Sequence, residues 1–206
     1  MDNSIRLSDR LLWGLLAAVM LASTGWWAWN ARFLRPVPPA APAAVARTPL
    51  PDLLLTDERG LPFSPSQLKG RPWIAGFIFT SCAGECPLMT ARMRELQNKL
   101  PAEIHLVSFT IDPARDTPEV LAHYGKANGA ESGRWHFVTG ETTALAKLSR
   151  EGFGLAFGGI EMPEGGLTHS VRLSLVDQTG AVRGTFDSSD PEAMKRLAEE
   201  ARSLAN

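Results

Sequence analysis

Cys82 and Cys86 are the chain's two cysteines, four residues apart. A staple between them would close a loop of about five residues, which stabilises a fold by only about 2 kcal/mol in the chain-entropy model. A return that small points to thiols kept for chemistry, either metal ligation or thiol–disulfide exchange, with a plain disulfide as the bland alternative. Two thiolates are soft ligands suited to Cu(I), and an added imidazole makes a set that also holds Cu(II). Zinc accepts the same donors, but a structural zinc site closes with four ligands, and no convincing fourth donor accompanies these. Four histidines are available. His105 and His136 fall in strand-like runs and His123 in a helical one, all ordinary structural places. His169 ends a glycine-rich stretch and opens a strand, where a side chain overhangs the end of a sheet. A solvated loop histidine is the ordinary alternative there.

These residues need elements that bring them together. Residues 73–80 (WIAGFIFT) are apolar almost throughout, as in a strand covered on both faces, and run directly into the cysteines. Pro87 suits the first turn of a helix, along which Met89, Met93, Leu96 and Leu100 recur at helical spacing. That periodicity assigns the methionines to the core rather than to a metal. At such a strand–helix junction the spacing puts both thiols on one face, and the helix dipole favours thiolate, with Glu85 opposing it. A second buried strand is expected over 104–111. Thr117 then caps a helix that starts at Pro118 and runs to about Lys126. A strand over 135–139 and a helix over 142–151 lead into the glycine-rich segment 152–166. Strands over 170–176 and 182–186 flank a turn at 177–180, and Asp190-Pro191 starts a closing helix to about Leu204. Upstream, LLLTDERGLPF reads as two short strands around a turn at 57–60. The order βαβ, then αββα, predicts an α/β, thioredoxin-like fold, a central mixed sheet flanked by helices.

Composition sets the boundaries. With 206 residues, 44% of them hydrophobic, the chain supports one globular domain, assigned to 50–206. Lys and Arg total 21 against 22 Asp and Glu, and the net charge of -1 with no basic block argues against a nucleic-acid partner. After a short tail at 1–10, residues 11–29 (LLWGLLAAVMLASTGWWAW) form an uncharged stretch long enough for a hydrocarbon core of about 30 Å, and predict an N-terminal transmembrane helix. Trp26, Trp27 and Trp29 gather at its far end, where a cleaved signal peptide would need small residues. Arg6 and Arg10 before the segment balance Arg32 and Arg35 after it, so charge leaves the orientation open. Residues 30–49, Pro- and Ala-rich from Pro36 onward, make a semi-extended linker. No heptad or exposed helical seam is evident, which leaves a monomer as the default.

Three segments together resemble the Sco/SenC family of copper proteins: FIFTSCAGECP at 77–87, FTIDPARDTPEVL at 109–121 and THSVRLSLVDQTG at 168–180. The resemblance implies a thioredoxin fold with an N-terminal membrane anchor. It also implies one copper ion held by Cys82, Cys86 and His169, and a role in assembling the binuclear copper centre of cytochrome c oxidase by copper delivery. The partner is then that enzyme's copper-bearing subunit or another copper protein. Topology follows too: inner membrane, single pass, with the domain in the periplasm. Familiar members carry Pro-Asp after the first cysteine where this chain has Ala83-Gly84, which loosens the loop between the ligands. Asp112 and Asp116 match acidic positions of the family pattern. Asp112 either orients the ligand loop or forms a turn, and Asp116 or Thr117 caps a helix. The principal alternative is a thiol–disulfide oxidoreductase in which Cys82 or Cys86 attacks and the other resolves, with no need for His169. A peroxidase of the peroxiredoxin kind also fits the fold, but no other local pattern argues for peroxide binding. An inert binding module with a bystander disulfide is the last alternative.

Overall fold

Three apolar runs build the centre of the sheet. The computed structural model describes residues 12–18, 20, 21, 23, 26, 49–82, 84, 86–155 and 171–205. Strands β3 (Trp73–Ile78), β4 (His105–Thr110) and β5 (Trp135–Thr139) are buried at every position. They run parallel, from Trp73 opposite His105 to Ile78 opposite Thr110, and from Leu106 opposite Trp135 to Phe109 opposite Val138. Short antiparallel strands extend the sheet on both sides: β1 (Leu55–Asp57) and β2 (Pro62–Phe63) beyond β5, and β6 (Arg172–Val176) and β7 (Val182–Asp187) beyond β3. The order is β2-β1-β5-β4-β3-β6-β7. Helices α1 (Cys86–Lys99), α2 (Pro118–Ala127), α3 (Thr142–Lys147) and α4 (Pro191–Ala205) flank it.

Local signals explain these elements. Thr117 caps α2 by accepting the Val120 N–H, with Pro118 in its first turn. Met89, Met93, Leu96 and Leu100 are all buried, as their spacing requires. One predicted helix is shorter than expected. The α-helical geometry of α3 stops at Lys147, and a π-type turn over Leu148–Gly152 follows. The wider turn fits the surroundings: a Cβ on Gly152 would lie 2.7 Å from Leu50, and the turn delivers Phe153 against Trp73, Phe77 and Phe109 at centroid distances of 5.3–6.3 Å.

The described residues of the predicted spanning segment, 12–18, 20, 21, 23 and 26, are helical, and Leu12, Trp13, Leu15, Met20, Leu21 and Trp26 are exposed. The rest of that segment and most of the linker lie outside the described residues. Among the described residues no helix is long and apolar enough to cross a membrane. The chain separates into two units, Met1–Ala41 and Pro42–Asn206.

At the amino ends of the parallel strands, His105 and His136 stack with centroids 6.0 Å apart and planes 4° from parallel. Each is only 8% exposed. Arg71 Nη1 lies 3.0 Å from His105 Nε2. A guanidinium only donates, so Nε2 accepts and the His105 proton sits on Nδ1. Burial, then the Arg71, His136 and Arg134 charges, hold His105 below the ordinary histidine value. Burial foremost, against the pull of Glu58, does the same for His136.

Two outcomes follow. Both imidazoles are neutral in the fold, whereas an unfolded chain protonates them near 6.5. Stability therefore falls as pH drops from about 6.5 toward the depressed folded values, by up to about 1.4 kcal/mol per pH unit for each histidine. Urea unfolding at pH 7.5 and 5.5 checks this, and equal midpoints would contradict it. At Gly125 of α2, an added Cβ would meet the Phe137 ring at 2.8 and 3.0 Å. Gly125→Ala should thus cost about 1–3 kcal/mol by overpacking, despite the better helix propensity of alanine. Thermal melting reads that loss directly.

Candidate metal centre

The buried strand β3 ends at Ile78, and the chain then turns through Phe79 to Cys82, whose N–H bonds the Phe79 carbonyl at 3.2 Å. Cys82 is half-buried. Cys86 opens α1 and is 2% exposed. The two thiols are therefore not an i, i+4 pair on one helix: the helix fixes Cys86, while the turn ahead of it fixes Cys82. Cys82 Sγ stands 3.9 Å from where a Cβ on Gly84 would be. Ala83 and Glu85 lie outside the described residues, and so does His169. The antiparallel β3–β6 register, with Gly76 opposite Leu173, carries the start of β6 to the sheet end at which β3 gives way to the cysteines.

The surroundings of the turn are polar and closely satisfied. Asp116 is fully buried, and its carboxylate accepts the Thr80 hydroxyl at 2.5 Å, the Thr110 hydroxyl at 2.5 Å and the Thr80 N–H at 3.2 Å. Thr110 Oγ1 in turn accepts the Asp112 N–H at 2.9 Å. Tyr124, the chain's one tyrosine, shares a 2.8 Å hydrogen bond with Thr90 of α1. Burial foremost, with the nearness of Cys86, Cys82 and Asp116, pushes its phenol up. Tyr124 and Asp116 thus belong to the environment of the thiols. Nothing in the local sequence singles out Tyr124, because its place near the thiols comes from the packing of α2 against α1.

The other candidates take different places. Asp112 opens a turn, with its carboxylate 3.3 Å from Arg115 Nη1. Thr117, not Asp116, supplies the helix cap. His123 is exposed on α2. Among the described residues one further group, Asp57, Glu58 and His136, has potential ligand atoms within 4.8 Å of one another. Its carboxylates are already engaged. Asp57 takes the Arg59 guanidinium at 2.6 and 2.9 Å and the Arg59 and Leu61 N–H groups, and Glu58 accepts the Phe137 N–H at 3.0 Å. They hold the β1 turn to β5. Two thiols beyond the carboxyl end of β3, one of them at a helix start, remain the place where metal or redox chemistry is best supported.

The SCO1/SenC family model matches residues 48–206. A Stutzerimonas stutzeri protein named for copper binding is 40% identical over 141 residues, covering 66% of this chain and 67% of that protein. A SCO1/SenC family lipoprotein from Bacillus anthracis str. Ames superposes with a TM-score of 0.69 at 29% identity, covering 81% of this chain and all of that one. BsSco, described as a member of the Sco family of cytochrome c oxidase assembly proteins with a disulfide switch, gives 0.68 at 27% identity over 80% and 96% of the two chains. With the thioredoxin-like sheet, the cysteine-bearing turn and a family match across the whole folded domain, this chain belongs to the SCO1/SenC family.

Proposed function

We propose that this protein is a membrane-tethered copper chaperone that takes one copper ion on Cys82, Cys86 and His169 and delivers it during assembly of the binuclear copper centre of cytochrome c oxidase. The observation that carries the reading is the cysteine pair at the carboxyl end of β3, in a chain whose relative is named for copper binding. Two thiolates and an imidazole are a donor set that accepts both Cu(I) and Cu(II). The register that brings the start of β6 to the cysteine end supports His169, three residues before Arg172, as the third ligand. Asp112 then orients the ligand loop through the turn it opens.

The apolar residues 11–29, several of them exposed on helix, support a single-pass anchor, and the family resemblance supports a domain on the periplasmic side of the inner membrane. A linker over 30–49 raises the effective concentration of the domain near a membrane-bound acceptor. A second reading, thiol–disulfide exchange with the acceptor's cysteines, is favoured by the pairing of two cysteines four residues apart at a strand–helix junction and by the disulfide switch described for BsSco.

Anaerobic titration of the reduced protein separates the two. Cys82→Ala and Cys86→Ala should each abolish tight copper binding, and His169→Ala should keep Cu(I) while losing the thiolate-to-Cu(II) charge-transfer band. Absence of copper binding by the wild type, with disulfide exchange intact, would select the oxidoreductase. Membrane fractionation checks the anchor. The full chain should resist carbonate extraction and a chain lacking residues 1–35 should be soluble, whereas release of the full chain by carbonate would remove the tether from the scheme.

A further inference from the structure

The turn that carries Cys82 is held in part from outside itself. Its own sequence offers little restraint, since Ala83-Gly84 follows the cysteine and contains no proline. Thr80, two residues before Cys82, is gripped twice by Asp116, through its hydroxyl at 2.5 Å and its N–H at 3.2 Å. The same carboxylate takes the Thr110 hydroxyl at the end of β4. Asp116 is 0% exposed, and among the described residues no cation pairs with it. Among the described residues, these donors offset the free energy needed to bury a carboxylate in that position. A helix cap would not need it, because Thr117 already caps α2.

We propose that Asp116 is a positioning residue for the cysteine site: by clamping Thr80 to the end of β4 it sets where Cys82 stands relative to Cys86. Cys86 needs no such device, since the first turn of α1 holds it. The carboxylate is an acceptor toward both hydroxyls, which fixes both threonines as donors and leaves Thr110 Oγ1 to receive the Asp112 N–H. An amide in its place has one acceptor oxygen and must turn an N–H toward one of the hydroxyls, so the clamp loses its alignment while the side-chain volume is kept. For copper affinity the proposal rests on the three-ligand reading above. For the thiol pair it does not.

The test uses the reduced full-length chain, with Asp116→Asn and Thr80→Val as variants and Leu197→Ala, a buried α4 substitution, as a stability control. Cu(I) competition against a chromophoric chelator gives the affinity. Equilibration with glutathione gives the dithiol constant: two thiols and one oxidised glutathione yield the Cys82–Cys86 disulfide and two reduced glutathiones, two electrons and two protons passing to the glutathione sulfurs. Asp116→Asn should weaken Cu(I) binding tenfold or more and lower the dithiol constant at least threefold, because a loosened Cys82 has a lower effective concentration at Cys86. Thr80→Val, which removes one of the two grips, should shift both in the same direction by less. Leu197→Ala should lower the melting temperature and move neither. A folded Asp116→Asn with wild-type values of both would overturn the proposal, and if that variant does not fold, an unchanged dithiol constant in Thr80→Val does so. Failure of the wild type to bind copper would remove the copper reading and leave the glutathione equilibrium to decide on Asp116.

Discussion

The whole arrangement depends on β3 being buried on both faces and paired along both edges. A strand in that position has no freedom of register: Trp73 to Gly76 pair with both β4 and β6, Phe77 and Ile78 with β4, and the Trp73 and Phe77 rings pack against Phe109 and Phe153. Its carboxyl end is thereby a fixed point, and whatever follows inherits a defined origin. The cysteines are the first residues after that point at which the chain is free to be chemical rather than structural. Ligands in open α/β sheets sit at the carboxyl ends of strands for the same geometric reason.

From that origin the two sulfurs are positioned by different means. Cys86 belongs to a regular helix, whose backbone hydrogen bonds determine its place. Cys82 belongs to a turn that has its own Cys82–Phe79 backbone hydrogen bond and whose Thr80 donates to Asp116, the carboxylate that Thr110 also reaches. One thiol is thus held stiffly and the other through a small polar network. A pair built in this way can change its sulfur–sulfur relation by adjusting one side only, which is useful where a dithiol, a disulfide and a metal-bound form must share one fold.

Much of this was legible in the residues. Continuous apolar runs gave β3, β4 and β5, the helical spacing of Met89, Met93 and Leu96 gave the buried face of α1, and Thr117-Pro118 marked the start of α2 within a residue. Cys82 and Cys86 stood out by type and spacing alone. The parts that could not be read depend on contacts between residues distant in sequence. Nothing local distinguishes Asp116 from a helix cap, and its burial beneath Thr80 and Thr110 exists only once β3 and β4 lie side by side. The His105–His136 stack needs two parallel strands in register, and the π-type turn after α3 answers to Leu50, which no periodicity in 142–151 encodes. Propensity sees neighbours in sequence, and these are neighbours in space.

The β3–β6 pairing also dictates an order of events during synthesis. From β3 the chain reaches its parallel partner β4 within a few tens of residues, but its antiparallel partner β6 is nearly the last strand to be made. Until then β3, the strand that leads to the cysteines, has a bare edge, the kind of surface that pairs with the wrong chain. The thiols therefore reach their finished surroundings only when the C-terminal hairpin of β6 and β7 closes the sheet, so a nascent or truncated chain presents Cys82 and Cys86 as ordinary reactive sulfurs beside an adhesive strand.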